Sequence, residues 1–203
     1  MAPDLDLRPG EPARSTLAQW VQVCPECGAA APDLTDLPET AGRIVRSDAW
    51  ASCAGSADTL PFRRWALLLA PRDAADALLQ AAWAADDAGE AAEAIQLRME
   101  SAAMWDEVSD LNRACRRVDI LRRAGAFDAA AAWIQTIAPN ATDEVTSAVL
   151  AFQQRRIEAR DDGRYLLSAA LRPPAAAPHV SHGRRQSDTP KRGGLFGRLL
   201  GRG

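Results

Sequence analysis

Asp86-Asp87-Ala88-Gly89-Glu90-Ala91-Ala92-Glu93-Ala94 and Arg122-Arg123-Ala124-Gly125-Ala126-Phe127-Asp128-Ala129-Ala130 are two versions of one local pattern, with Gly89 and Gly125 set 36 residues apart. Each reads as the end of a helix, a glycine turn, and a second helix opening on small residues. Upstream of the first turn, Ala74, Leu78, Ala81, Ala82 and Ala85 recur at helical spacing, and Leu79 and Trp83 widen the stripe. A helix of nearly four turns is therefore expected to end at Asp86, Asp87 and Gly89. A third helix is expected from about Glu90 to Trp105, burying Ala94, Leu97, Ala102 or Met104, and Trp105. A fourth, from about Leu111 to Ala124, places Ala114, Val118 and Leu121 inward and Arg113, Arg116, Arg117 and Arg123 toward solvent.

Further out, Asp128 to Ile137 forms a helix stopped by Pro139 and Asn140. Thr142 is expected to cap a sixth helix that reaches Ala159 or Arg160, and Tyr165 to Leu171 supply a last short one. On the other side, Pro61 suits a first helical turn, Phe62, Trp65, Ala66 and Leu69 share a face, and Pro71 ends that helix. The tryptophans Trp20, Trp50, Trp65, Trp83, Trp105 and Trp133 read as core anchors, with one or two of them candidates to line a binding groove.

The phrase Ile120-Leu121-Arg122-Arg123-Ala124-Gly125-Ala126-Phe127-Asp128-Ala129-Ala130 resembles tetratricopeptide repeats, whose period is about 34 residues. The resemblance covers roughly residues 72–140. It implies stacked helix pairs in which small residues permit close approach. Two such units need flanking helices to cover their ends. The expected fold is mainly α: tetratricopeptide-like helical hairpins over residues 61–171, a small knuckle-containing segment over 17–60, a flexible N-terminus over 1–16 and a disordered basic tail over 172–203.

Before the helical body, Trp20 to Val23 allows a short strand that runs into Cys24-Pro25-Glu26-Cys27-Gly28. Residues 43–50 fit either a strand or a helix start. Two cysteines two residues apart, with a glycine after them, match a knuckle in which two thiolates grip one zinc. That is half of a four-ligand shell. Cys53 is the candidate third ligand, and Cys115 or a carboxylate the fourth. The competing reading is a metal-free turn with Cys53 and Cys115 as small apolar side chains. A thioredoxin-like redox role lacks its expected βαβ context.

Taken together, Trp20-Val21-Gln22-Val23-Cys24-Pro25-Glu26-Cys27-Gly28-Ala29-Ala30-Ala31-Pro32-Asp33-Leu34 and Leu78-Leu79-Gln80-Ala81-Ala82-Trp83-Ala84-Ala85-Asp86-Asp87-Ala88-Gly89 resemble a group of uncharacterised bacterial proteins. In that group a Cys-Pro-x-Cys-Gly knuckle precedes tetratricopeptide-like helices. The resemblance implies a scaffold or interaction role with metal binding, and no known reaction.

Composition narrows the function further. The net charge of -3 divides unevenly: from Arg172 onward seven basic side chains face Asp188 alone, so the preceding residues carry the whole acidic excess. An acidic body is a poor platform for phosphates, and no specific nucleic-acid binding is expected. No stretch approaches the roughly 20 apolar residues of a membrane span. A cytoplasmic location is the default expectation, because the N-terminus lacks a secretory pattern. In the tail, Leu195, Phe196, Leu199 and Leu200 share one helical face among arginines, a candidate surface for a protein partner or for weak contact with an anionic membrane.

The aspartates at 86, 87, 161 and 162 read as turn residues rather than paired catalytic carboxylates. No Ser-His-Asp set, phosphate loop or His-Glu zinc motif is present. The expected function is a non-catalytic protein interaction or scaffold module braced by zinc. The alternatives are a metal-dependent or thiol redox protein using Cys24 and Cys27, and a membrane-peripheral adaptor acting through the C-terminal segment.

Overall fold

The computed structural model describes residues 2–105 and 110–171. The chain is mainly helical, as its apolar periodicity requires. The paired strands β1 (Gln22–Val23) and β2 (Ala30–Ala31) are followed by two short helices, α1 (Ala41–Ile44) and α2 (Asp48–Ala51). Then come α3 (Leu60–Leu68), α4 (Pro71–Ala88), α5 (Ala91–Met104), α6 (Leu111–Arg123), α7 (Phe127–Ile137), α8 (Glu144–Glu158) and α9 (Leu167–Ala170). Residues 43–50, which fit either a strand or a helix from sequence, contribute to α1 and α2. Among the described residues no helix is long and apolar enough to cross a membrane.

The boundaries have local causes. Pro71 occupies the first turn of α4, where its missing amide removes nothing from the helix. Gly89 and Gly125 close α4 and α6 with φ of 77° and 73°, and the turns match bond for bond. The Glu90 amide donates to Ala85 O and the Ala126 amide to Leu121 O, each at 2.9 Å; the Gly89 and Gly125 amides donate to Asp86 O and Arg122 O. A pattern repeated at 36 residues thus yields a turn repeated at 36 residues. The cap of α8 differs from expectation. Asp143, not Thr142, accepts from the Thr146 amide, at 2.8 Å. Its carboxylate is the stronger acceptor for an unpaired amide at a helix start.

Helix α4 packs chiefly against α5 and α3, α6 against α7, and α8 against α6 and α7. The main core draws on Leu78, Leu79, Leu97, Val118, Ile120, Ile134 and Ile137, with Trp83 and Trp105. Its distinguishing component is alanine: Ala75, Ala77, Ala81, Ala82 and Ala85 on α4 are all fully buried. A stripe of methyl groups brings helix axes closer than leucines would permit. Trp50, Trp83 and Trp105 are buried, while Trp20, Trp65 and Trp133 pack against the core from its margin. Met104 is exposed rather than buried.

The first residues depart most from expectation. Instead of a flexible lead-in, residues 4–8 form a packed turn. Leu7 N donates to Asp4 O and Asp4 N to Arg8 O, both at 2.9 Å, and Asp4, Leu5, Asp6 and Arg8 are buried. Leu5 lies among Val149, Phe152 and Ala170. Its amide reaches Tyr165 O at 3.0 Å, and the Leu167 amide reaches Pro3 O at 2.8 Å.

The close approach of α4 is testable. Ala82→Leu is expected to overpack the interface and lower stability by about 1–3 kcal/mol, whereas the same change at exposed Ala88 is expected to move it by less than about 0.5 kcal/mol. Thermal denaturation of the two variants beside wild type measures the difference.

Candidate functional site

Residues 24–28 form a tight turn at the end of a short hairpin. β1 and β2 are antiparallel, pairing Gln22 with Ala31 and Val23 with Ala30. The Cys24 amide then bonds Ala29 O at 2.8 Å, and the Gly28 amide bonds Cys24 O at 2.9 Å. Gly28 takes φ of +71°, a conformation that strains other residues. A Cβ there would also collide with a guanidinium nitrogen of Arg64. The backbone amides of Cys27 and Glu26, then the Cys27 thiol, hydrogen-bond the Cys24 sulfur and hold its pKa below the ordinary thiol value; burial and the Glu26 charge oppose them more weakly. Cys27 is exposed and Cys24 partly so.

The other two cysteines do not join this pair. Among the described residues no group of three or more His, Cys, Asp or Glu side chains is gathered in a way that could hold a metal ion. Cys53, the expected third ligand, follows α2 and lines a separate cavity with Arg63, Leu67, Leu78, Glu100 and Met104. Cys115, on α6, packs against the main core. Burial pushes its thiol up to about 11, aided by Asp143, so it stays protonated at neutral pH. His179, His182, Leu195, Phe196, Leu199 and Leu200 lie outside the described residues.

A second feature had no single motif to announce it. Charged side chains from α4, α5 and α6 interlock with the N-terminal turn beneath the surface. Asp6 Oδ2 accepts from Trp83 Nε1 at 2.8 Å and from Arg123 Nη1 at 3.2 Å, while Asp6 O accepts from Arg116 Nε at 3.2 Å. Arg123 Nη2 continues to Asp86 Oδ2 at 2.8 Å, and Arg98 grips Asp86 through both terminal nitrogens. Arg8 pairs with Asp87, and Arg14 with Asp4.

The arginines on α6 expected to face solvent are instead largely enclosed. Arg113 and Arg116 both bond Asp76, and their guanidinium groups lie 5.7 and 4.5 Å from the Trp105 ring centre. The Asp86-Asp87 pair does end a helix, but Asp86 also joins this network. Burial works against its ionisation, yet the Arg98 hydrogen bond and the charges of Arg98 and Arg123 hold its pKa below the usual carboxylate range. Each buried charge has an opposite partner, the condition for tolerating it in an apolar interior.

Asp119 is shifted in the opposite direction from Asp86. It is buried beside Arg122, whose Nη2 donates to it at 2.6 Å. Burial pushes its carboxyl up to about 6; the Arg122 charge opposes the shift and the nearby Asp6 charge reinforces it.

A third feature is an apolar groove of about 410 Å³, lined by Met99, Ala102, Arg117, Leu121, Ala132 and Trp133 among others. Trp133 is fixed by its Nε1 donating to Ala114 O at 2.9 Å, and the Arg117 guanidinium lies 4.1 Å from its ring centre. Helix α5 buries Ala94, Leu97 and Ala102 on its inner side and leaves Ile95 and Met99, one turn apart, 44% and 41% exposed. A helix apolar on both sides has a second surface to cover.

The raised pKa of Asp119 gives a pH dependence. An unfolded aspartate titrates near 3.9, so between about pH 4 and pH 6 the folded chain binds more protons than the unfolded one, and stability increases as pH falls through that window. Asp110, held low chiefly by the Arg113 amide, and Asp161, held low chiefly by the Tyr165 hydroxyl, act in the opposite sense and lose their contributions only in stronger acid. Melting temperature is therefore expected to rise as pH is lowered from about 7 to about 5 and to fall below about 4. Asp119→Asn is expected to flatten the rise, and calorimetry across the range measures both slopes.

No family model matches the chain, and neither a curated protein nor a solved structure does.

Proposed function

We propose that this protein is a non-catalytic interaction module of tetratricopeptide-like helix pairs, which binds a protein partner through the outward side of α5 and α7 and carries zinc at its N-terminal knuckle. The observation that carries the reading is the groove lined by Trp133 and Met99, with exposed Ile95 one turn from Met99 along α5. Aromatic and methionine side chains in a recess, with a single arginine at its edge, suit an apolar segment of another protein: Trp133 supplies a rigid contact surface and Met99 an adaptable one. The matched turns at Gly89 and Gly125 support the repeat character of the helix pairs. The knuckle geometry supports zinc as a brace, with Cys24 and Cys27 as ligands of this chain.

Met99→Asp and Ala132→Asp place charges in the groove at exposed helical positions and are expected to leave thermal stability within about 0.5 kcal/mol of wild type. In pull-down from an extract of the source cells, the wild-type chain is expected to retain a protein partner at fixed stoichiometry. The two variants are expected to retain at least about ten-fold less, as one lost apolar contact implies. Retention that the variants leave unchanged would remove the groove from the proposal. A thiol-dependent turnover abolished in Cys24→Ser, Cys27→Ser would replace the module with a redox enzyme.

A further inference from the structure

We infer that Cys24 and Cys27 are half of a zinc site whose other half is the same cysteine pair in a second copy of this chain, so that one zinc ion joins two chains. The inference deepens the metal part of the reading above and rests on it. A structural zinc takes four ligands in a tetrahedron, and two thiolates leave two positions open. Cys53 and Cys115 are placed elsewhere, and among the described residues no other His, Asp or Glu group is gathered with the pair.

A second copy fills the gap with ligands already arranged. Its knuckle is held by the same Cys24 and Gly28 backbone bonds and the same left-handed Gly28, so neither chain has to reorder on binding. Access is open. Pro25, Glu26 and Cys27 are exposed, and Cys24 partly so, at the end of a hairpin whose strands are two residues long.

The charge around the pair fits the assembled site. Four thiols release their four protons to solvent as they bind, and zinc with four thiolates carries a net charge of about -2. An isolated dianion at an interface is costly. Each copy brings one cation to the spot: the Arg64 guanidinium packs against Gly28 and lies 5.2 Å from the Trp50 ring centre, and its buried Nε has no hydrogen-bond partner. Two copies supply two guanidinium groups for two negative charges. Arg64 acts here as a positioning and charge-balancing residue, not as a ligand.

Zinc titration of the purified full chain, read by elemental analysis and native mass spectrometry, tests the inference. The expected result is one zinc per two chains, a dimer with zinc, a monomer after chelation by EDTA, and no zinc-dependent dimer for Cys24→Ser, Cys27→Ser. Arg64→Gln is expected to weaken zinc affinity about ten-fold against a competing chromophoric chelator, with the metal-free monomer still folded and its melting temperature lowered only by the lost contact with Trp50; unchanged affinity would overturn the role given to Arg64. One zinc per monomer would overturn the shared site and leave the zinc reading standing, and loss of that zinc in His179→Ala, His182→Ala would identify its remaining ligands. Absence of binding would sink the shared site and the zinc brace together. The groove's partner capture is measured independently, so the interaction reading stands or fails separately.

Discussion

Arg123 is the tie on which the arrangement of the body depends. One terminal nitrogen of its guanidinium reaches Asp6 of the N-terminal turn, and the other reaches Asp86 at the end of α4. Through Asp86 it engages Arg98 of α5, and through Asp6 it engages Trp83 of α4 and Arg116 of α6. One planar cation with five donors in a fixed fork holds these positions in register, which a lysine could not do. Such buried pairs add little net stability relative to an apolar core, but removing one partner strands the other and costs about 3–5 kcal/mol. Their effect is specificity of arrangement: a slipped helix pair or a released N-terminus would leave buried charges unmatched.

The repeat makes this network possible. Asp86 and Arg122, like Asp87 and Arg123, occupy equivalent places before Gly89 and Gly125. The two matched turns therefore carry opposite charges at the same local position, and Arg123 reaches Asp86. The alanine stripe on α4 supplies the short range over which the pairs act, because methyl-lined contacts let neighbouring helices approach closely.

The helical body was legible because strong periodicity and helix-stopping residues agreed. Pro61, Pro71, Gly89, Gly125 and Pro139 marked its divisions, and α3 to α8 fall where those residues and the apolar stripes put them. The N-terminal turn was not legible. Asp4-Leu5-Asp6-Leu7-Arg8 has a turn-like, charged composition, and nothing local reports that Trp83, Arg116 and Arg123, far along the chain, form its seat. The arginines of α6 were misread for the same reason: their positions off the apolar stripe were correctly placed, but a side lacking apolar residues need not meet solvent when an acidic segment covers it. The opposed charges at Asp86-Asp87 and Arg122-Arg123 were the available signal. The tight turn at residues 24–28 was legible from Gly28, whereas the distance of Cys53 from Cys24 and Cys27 depends on how α2 and α3 pack.

The occupied side of the stack decides which surfaces remain for binding. The N-terminal turn spends its polar groups on α4 and α6, while Leu5 covers apolar side chains of α8 and α9. Its backbone is joined to residues 165–167, so this side is closed by two chain segments at once. Leu7 adopts φ of +65°, which costs about 1–2 kcal/mol in a non-glycine residue, and the surrounding contacts must hold it there. Among the described residues, apolar surface without such a cover persists at Ile95 and Met99 of α5, the latter lining the Trp133 groove. Nothing within the described residues satisfies that surface as the N-terminal turn satisfies its own, and this asymmetry directs the interaction reading toward α5 and α7.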